Sequence, residues 1–119
     1  MPAATLKLGP FDQYDSQVLE LTVKEGTPLA TRDISGDALI FKVGRTNVLK
    51  KSVTGASEIS ILSPQTGATK GRANIIIDAG DFAVHPRGYD YEIVLKTAST
   101  RDTILQGVLT VDKSIITDV

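Results

Sequence analysis

The sequence has no cysteine and no tryptophan, and one histidine among its 119 residues. Without cysteine there is no thiol nucleophile, no zinc–thiolate site and no disulfide staple. With aromatic residues at only 5%, little is left to stack on sugar rings or unpaired bases. Neither sign of charge is in surplus: 13 Lys and Arg against 14 Asp and Glu leave a net charge of -1, so no broad field draws in nucleic acid or an anionic membrane. No run of about 18 apolar residues occurs, which excludes a membrane-spanning helix. The opening Met1-Pro2-Ala3-Ala4-Thr5-Leu6-Lys7 has no apolar core behind a basic flank, so no export signal is expected. These features predict a soluble chain made in a cytoplasm, with neither nucleic acid nor membrane as partner.

What is present is alternation. Leu19, Leu21 and Val23 alternate with Glu20 and Thr22, a period of two that turns one face of a strand inward. The same spacing recurs in Asp37 to Val43 (Leu39, Phe41, Val43), in Glu58 to Leu62 (Ile59, Ile61) and in Arg72 to Asp78 (Ala73, Ile75, Ile77). Tyr89 to Lys96 is the clearest case, with Tyr89, Tyr91, Ile93 and Leu95 on one face, and it predicts a long central strand. From Asp102 to Asp112, Leu105, Gly107, Leu109 and Val111 point inward, and Gly107 marks a bulge or a close approach to a large neighbour. Thr5 to Leu8 predicts an edge strand, and Ser114 to Thr117 an extension of the last strand or a docking segment.

Turn formers separate these runs: Glu25-Gly26-Thr27-Pro28, Gly44-Arg45-Thr46-Asn47, Thr54-Gly55, Ser63-Pro64-Gln65-Thr66-Gly67, Ala79-Gly80-Asp81 and Pro86-Arg87-Gly88. No stretch keeps helical spacing for long, and at most one helical turn is expected near Ala79 to Val84. Ile34, within the longest irregular stretch, from Gly26 to Gly36, is expected to drop back onto the core. Short strands at regular spacing predict a sandwich or barrel. A chain of this length buries roughly two thirds of its unfolded surface in one core, whereas two half-sized cores would not offset the entropy of ordering them. Residues 1–119 are therefore expected to form a single domain, with 1–14 and 113–119 as assembly-contact tails.

Candidates for chemistry are sparse. His85, in Val84-His85-Pro86-Arg87-Gly88, lacks a second His or any Cys to share a metal, and no serine motif places a hydroxyl beside it, so it is expected as a solvated turn residue. Gly67-Ala68-Thr69-Lys70-Gly71-Arg72 lacks the spacing that cradles phosphate and predicts a flexible hairpin tip. Asp78 and Asp81 could hold calcium if a further oxygen donor joined them, though Asp at strand ends also serves to cap turns. Arg45, Lys50 and Lys51, and the pair Lys70 and Arg72, are expected on solvated faces or guarding edge strands. Tyr89 and Tyr91 share a face with Ile93 and Leu95, which predicts core rather than a sugar platform, and Tyr89 stands where a tyrosine ties a sandwich corner. No catalytic, cofactor-binding or metal-binding residue is expected, and the chain is expected to be no enzyme.

The order of features resembles one family. From about Asp15 to Asp112 the run comprises Leu19-Glu20-Leu21-Thr22-Val23, Glu25-Gly26-Thr27-Pro28-Leu29, Asp33-Ile34-Ser35-Gly36 and Ala38-Leu39-Ile40-Phe41-Lys42-Val43. Then come Pro64-Gln65-Thr66-Gly67, Pro86-Arg87-Gly88-Tyr89-Asp90-Tyr91-Glu92-Ile93-Val94-Leu95 and Leu105-Gln106-Gly107-Val108-Leu109-Thr110-Val111. This resembles the immunoglobulin-like domain at the N-terminus of bacteriophage upper baseplate proteins. The resemblance implies an all-β, immunoglobulin-like antiparallel β-sandwich of about seven to eight strands, and it carries over no catalytic residue.

Those proteins continue into modules that hold receptor-binding parts, whereas this sequence stops at Val119. The expectation is a structural virion component: a tail, baseplate or fibre-anchoring adaptor, or a capsid decoration protein. Its partners would be other virion proteins and copies of itself in a symmetric assembly. Contact residues would be Ile76, Val94, Ile104 and Val108, opposite the core face, together with the termini and open sheet edges. The alternative is a carbohydrate-binding or adhesion module on the same fold.

Overall fold

A computed structural model describes residues 2–8, 11–55, 57–82 and 86–113. Two five-stranded sheets face each other. The first runs β1 (Ala3–Lys7), β3 (Gln17–Glu25), β8 (Arg72–Ile77), β7 (Ile59–Ile61), with the two-residue β4 (Ala30–Thr31) added beside the end of β3. The second runs β2 (Phe11–Asp12), β10 (Arg101–Asp112), β9 (Gly88–Lys96), β5 (Ala38–Val43), β6 (Leu49–Lys51). All pairings are antiparallel except β2 with β10, where the chain has crossed from the first sheet to lie parallel to the last strand. This is the strand order of an immunoglobulin-type sandwich, with A, B, E and D in one sheet and G, F and C in the other. Eight strands have three or more residues, and β2 and β4 are two-residue additions that alternation does not reveal.

The inward faces are those the alternation predicts. Leu19, Leu21 and Val23 of β3 and Ala73, Ile75 and Ile77 of β8 meet Leu39, Phe41 and Val43 of β5 and Tyr89, Tyr91, Ile93 and Leu95 of β9, all buried. Fully burying one such aliphatic or aromatic side chain is worth about 1.5–3 kcal/mol, so these facing rows supply the main driving force for the fold. Ile34 is buried in the same core, and Phe11 and Phe82 close it with an edge-to-face contact, ring centroids 5.2 Å apart. Residues 3–7 form an edge strand and Phe11 a core residue, so much of the 1–14 segment belongs to the sandwich itself.

Several expectations are corrected. Ile104 is buried rather than outward, because the ladder slips between Thr103 and Leu105. A bulge places two consecutive residues against one, so Ile104 turns to the core side and leaves Leu105 at its margin, half-buried. Val94 does sit on the outer face, between Ile40 and Thr103, yet it is only 2% exposed, while Ile76 is half-buried. Val108 alone of the four expected contact residues stands open, at 62%. Gly107 marks the close approach and not the bulge: a Cβ there would come 2.8 Å from the Tyr91 hydroxyl oxygen. Among the described residues the one helical turn is a 3-10 turn at Gly67–Thr69, whereas 79–82 form plain turns. Ala83, Val84, His85 and the segment 114–119 lie outside the described residues.

Candidate functional site

Polar side chains enter the sandwich at both ends. In the connection between β7 and β8, Gln65 turns inward and is 8% exposed. Its Oε1 accepts from the backbone N–H of Ile34 (3.0 Å) and of Gly71 (2.9 Å). Its Nε2 donates to the carbonyls of Leu62 (2.6 Å), Thr69 (3.3 Å) and Arg72 (3.4 Å). The amide thus joins the loop after β3 to the loop before β8, and the expected flexible tip at Gly67 to Arg72 is instead tied to the end of the sandwich.

Gly71 makes that fit possible, with φ at +79° and a would-be Cβ 2.6 Å from the Val23 carbonyl oxygen. On the neighbouring loop the Arg32 guanidinium bonds Asp37 (3.0 and 3.4 Å) and Glu25, and those hydrogen bonds raise its pKa further. Asp33 accepts from the Ser35 backbone N–H at 2.9 Å, which lowers its carboxyl pKa.

At the other end of β8, Asp78 and Asp81 do converge on a cation, but the cation is Lys50. Its ammonium lies 2.8 Å from Asp81 Oδ2 and 3.4 Å from Asp78 Oδ2. The same Asp81 oxygen accepts from the Asp78 backbone N–H at 2.7 Å. Lys50 therefore corrects the expectation of a solvated residue: it is 7% exposed, on the inward face of edge strand β6. An inward charge on an edge strand also discourages another strand from pairing there. Burial works against the ammonium charge, yet Asp81 and then Asp78 outweigh it and raise the pKa above the ordinary lysine value. Among the described residues no group of three His, Asp or Glu side chains is arranged to hold a metal ion. Of the other basic residues singled out, Arg45 and Arg72 are exposed, and Lys51 and Lys70 are half-buried.

Tyr89 and Tyr91 are core residues. Tyr91 is 8% exposed, its ring covers Gly107, and burial raises its hydroxyl pKa. Tyr89 is 5% exposed, with the Arg87 guanidinium carbon 5.8 Å from its ring centroid. Neither presents a face on which a sugar ring could stack.

The outer face of the second sheet is open to solvent. A shallow depression of about 570 Å³ lies there, bordered by Lys42, Gly44, Asp90, Glu92, Gln106 and Val108. In register, Lys42 pairs with Glu92 and Glu92 with Gln106, while Asp90 pairs with Val108. Lys42 does not reach Glu92 to form an ion pair, because its ammonium donates to the Thr46 carbonyl at 2.8 Å in the turn before β6. The face therefore carries acids, Asp90 and Glu92, with no ion-pair partner among the described residues, along with the exposed Val108 and Leu49. Alternation located Val108, but the cross-strand grouping of these residues is set by register, which the sequence does not display. Neither a scan against protein-family models nor a search of curated proteins finds a match to this chain, so its surface chemistry must carry the functional argument.

Proposed function

We propose that the chain is a non-enzymatic structural domain of a bacteriophage or prophage virion, acting through protein–protein contacts as a tail, baseplate or fibre-anchoring adaptor or as a capsid decoration protein. The observation that supports a contact role is where the polar groups are spent. The two buried polar side chains described, Gln65 and Lys50, are bonded to protein groups that hold loops, and no buried side-chain nitrogen or oxygen among the described residues lacks a partner. Among the described residues, charges without an ion-pair partner and two exposed apolar side chains, Val108 and Leu49, share the outer face of the second sheet, while Leu8, Val18, Leu29 and Val53 are exposed elsewhere; the mixture on that face suits recognition of another protein surface. The virion setting is favoured by the resemblance in the order of turns and strand-forming runs from Asp15 to Asp112 of the sequence.

The test is antiserum against the purified chain, applied to particles induced from the source bacterium, with mass spectrometry of the same particles. Regular labelling at one position of the particle and peptides in stoichiometric amount are expected. Particles free of both would overturn the reading. A glycan array run in parallel addresses the adhesion alternative: saturable binding to one glycan class would favour it over assembly, and the burial of Tyr89 and Tyr91 is the reason to expect none.

A further inference from the structure

On the outer face of the second sheet the charges of β9 and β10 are segregated along the strands, while Lys42 of β5 stands in register with Glu92. β9 carries Asp90 and Glu92 toward its start and Lys96 at its end, where Arg101 of β10 is its cross-strand neighbour. Between them runs the row Ile40, Val94 and Thr103. None of Asp90, Glu92, Lys96 and Arg101 forms an ion pair with a described residue. On the outer face of the first sheet, by contrast, opposite charges are neighbours, with Lys7 3.9 Å from Glu20. A strand rises about 3.3 Å per residue, so Glu92 and Lys96 stand roughly 13 Å apart, with Val94 midway.

We propose that this face packs on the same face of a second copy of the chain, about a two-fold axis that lies between the two sheets and crosses the strands over the Ile40–Val94 row. That operation sets β9 on β9 with the strand direction reversed. Glu92 then faces Lys96 of the second copy, Gln106 faces its Arg101, and Lys42 faces its Ala38, so that Glu92 meets a base and a long side chain meets a small one, while Asp90 falls one row beyond Lys96. The depression beside Asp90 and Glu92 receives the cationic ends of Lys96 and Arg101.

The alternative two-fold axis, parallel to the strands, would set Glu92 on Glu92 and Lys96 on Lys96, and like charges in contact are costly. One contact opposes the chosen arrangement: Lys51, on the axis row at the β6 rim, meets its own copy. Four strands about 4.8 Å apart and the three rows of residues 92, 94 and 96, about 6.8 Å apart, give a footprint of roughly 400 Å² per copy, small for a specific interface, which points to affinity no tighter than micromolar.

This inference rests on the reading of the chain as one that works through protein contacts, and it adds a partner and a geometry to it. The test is sedimentation velocity from about 1 µM to about 1 mM on the wild type, Glu92→Lys, Lys96→Glu and the double swap, at about 0.05 and 0.5 M NaCl. The wild type is expected to dimerise, and more weakly at high salt. Each single reversal should weaken the dimer about tenfold or more, while the double swap restores it to within about threefold, since paired charges are then exchanged rather than opposed. Lys51→Ser should tighten it by about twofold.

Circular dichroism and unchanged melting midpoints verify folding, and the double swap is itself a folded control. A monomeric wild type over the whole range, a dimer indifferent to either reversal, or a double swap no better than the singles would overturn the proposal. A chain that labels particles yet stays monomeric removes this face only, and a dimer that labels none removes the virion setting only.

Discussion

Gln65 and Lys50 hold opposite ends of the sandwich, one past each end of β8, and they do it by different physics. Gln65 is neutral and spends five hydrogen bonds on backbone groups of two loops. Those loops have no other route to satisfy the Ile34 and Gly71 amides at that depth, so the side chain acts as a piece of secondary structure. Lys50 is charged and spends its ammonium on two carboxylates, of which Asp78 is 70% exposed and Asp81 23%. Water can take over for those carboxylates if the ammonium is lost. The lesson is that depth of the partners, more than charge of the buried group, decides how much a polar anchor is worth.

Replacing each anchor tests that contrast. Gln65→Leu keeps the volume and removes the amide, which strands two buried donors. At about 1–3 kcal/mol for each, the expected cost is about 3 kcal/mol, a fall in melting temperature of roughly 10–20 °C. Hydrogen exchange at the Ile34 and Gly71 amides should accelerate most. Lys50→Ala should cost less, about 1–2 kcal/mol, mainly through lost packing of the lysine stem. Lys50→Met, which keeps the stem, should stay within about 1 kcal/mol of the wild type. If Lys50→Met unfolded the chain as readily as Gln65→Leu, charge and not depth would be the governing variable.

The same two residues mark the limit of what the sequence discloses. Ile34 is legible because an isoleucine flanked by Arg32, Asp33, Ser35 and Gly36 has few uses other than burial. Gln65 is not, because Ser63-Pro64-Gln65-Thr66-Gly67 has the composition of any solvated turn, and nothing local says which polar residue folds inward. Strand β6 hides for a related reason: Val48 and Lys50 share its inward side, and a lysine between Leu49 and Lys51 suggests solvent until its partners are known.

Two-residue alternation placed the faces of β3, β5, β8 and β9, but it assumes an unbroken ladder. The bulge at Ile104 breaks that assumption, and the adjacent apolar pair Ile104-Leu105 is the local sign of it. The face of Glu92, Lys96 and Arg101 was out of reach altogether, since it depends on how β9 and β10 align.

The smallest expected effect is also the one that separates the two anchors most cleanly. The Asp81 and Asp78 carboxylates raise the Lys50 pKa in the folded chain against the burial that opposes it, so the folded state keeps this proton to higher pH than the unfolded one. The contribution is whole below the unfolded lysine value of about 10.4, and it is lost as pH rises through the folded pKa. Tyr91 works in the same direction, since burial keeps its hydroxyl protonated after the unfolded chain begins to ionise near about pH 10.

Urea denaturation at intervals from about pH 7 to about pH 11 should therefore show a wild type level at first and falling above about pH 10. Gln65→Leu, whose lost group does not titrate, should fall in parallel from its lower starting point. Lys50→Met should fall less steeply, by a difference of under about 1 kcal/mol, because it no longer holds the proton whose release weakens the fold. Equal slopes for wild type and Lys50→Met would mean that the ammonium gains nothing from its two carboxylates, and the contrast between the ends would then reduce to hydrogen-bond number alone.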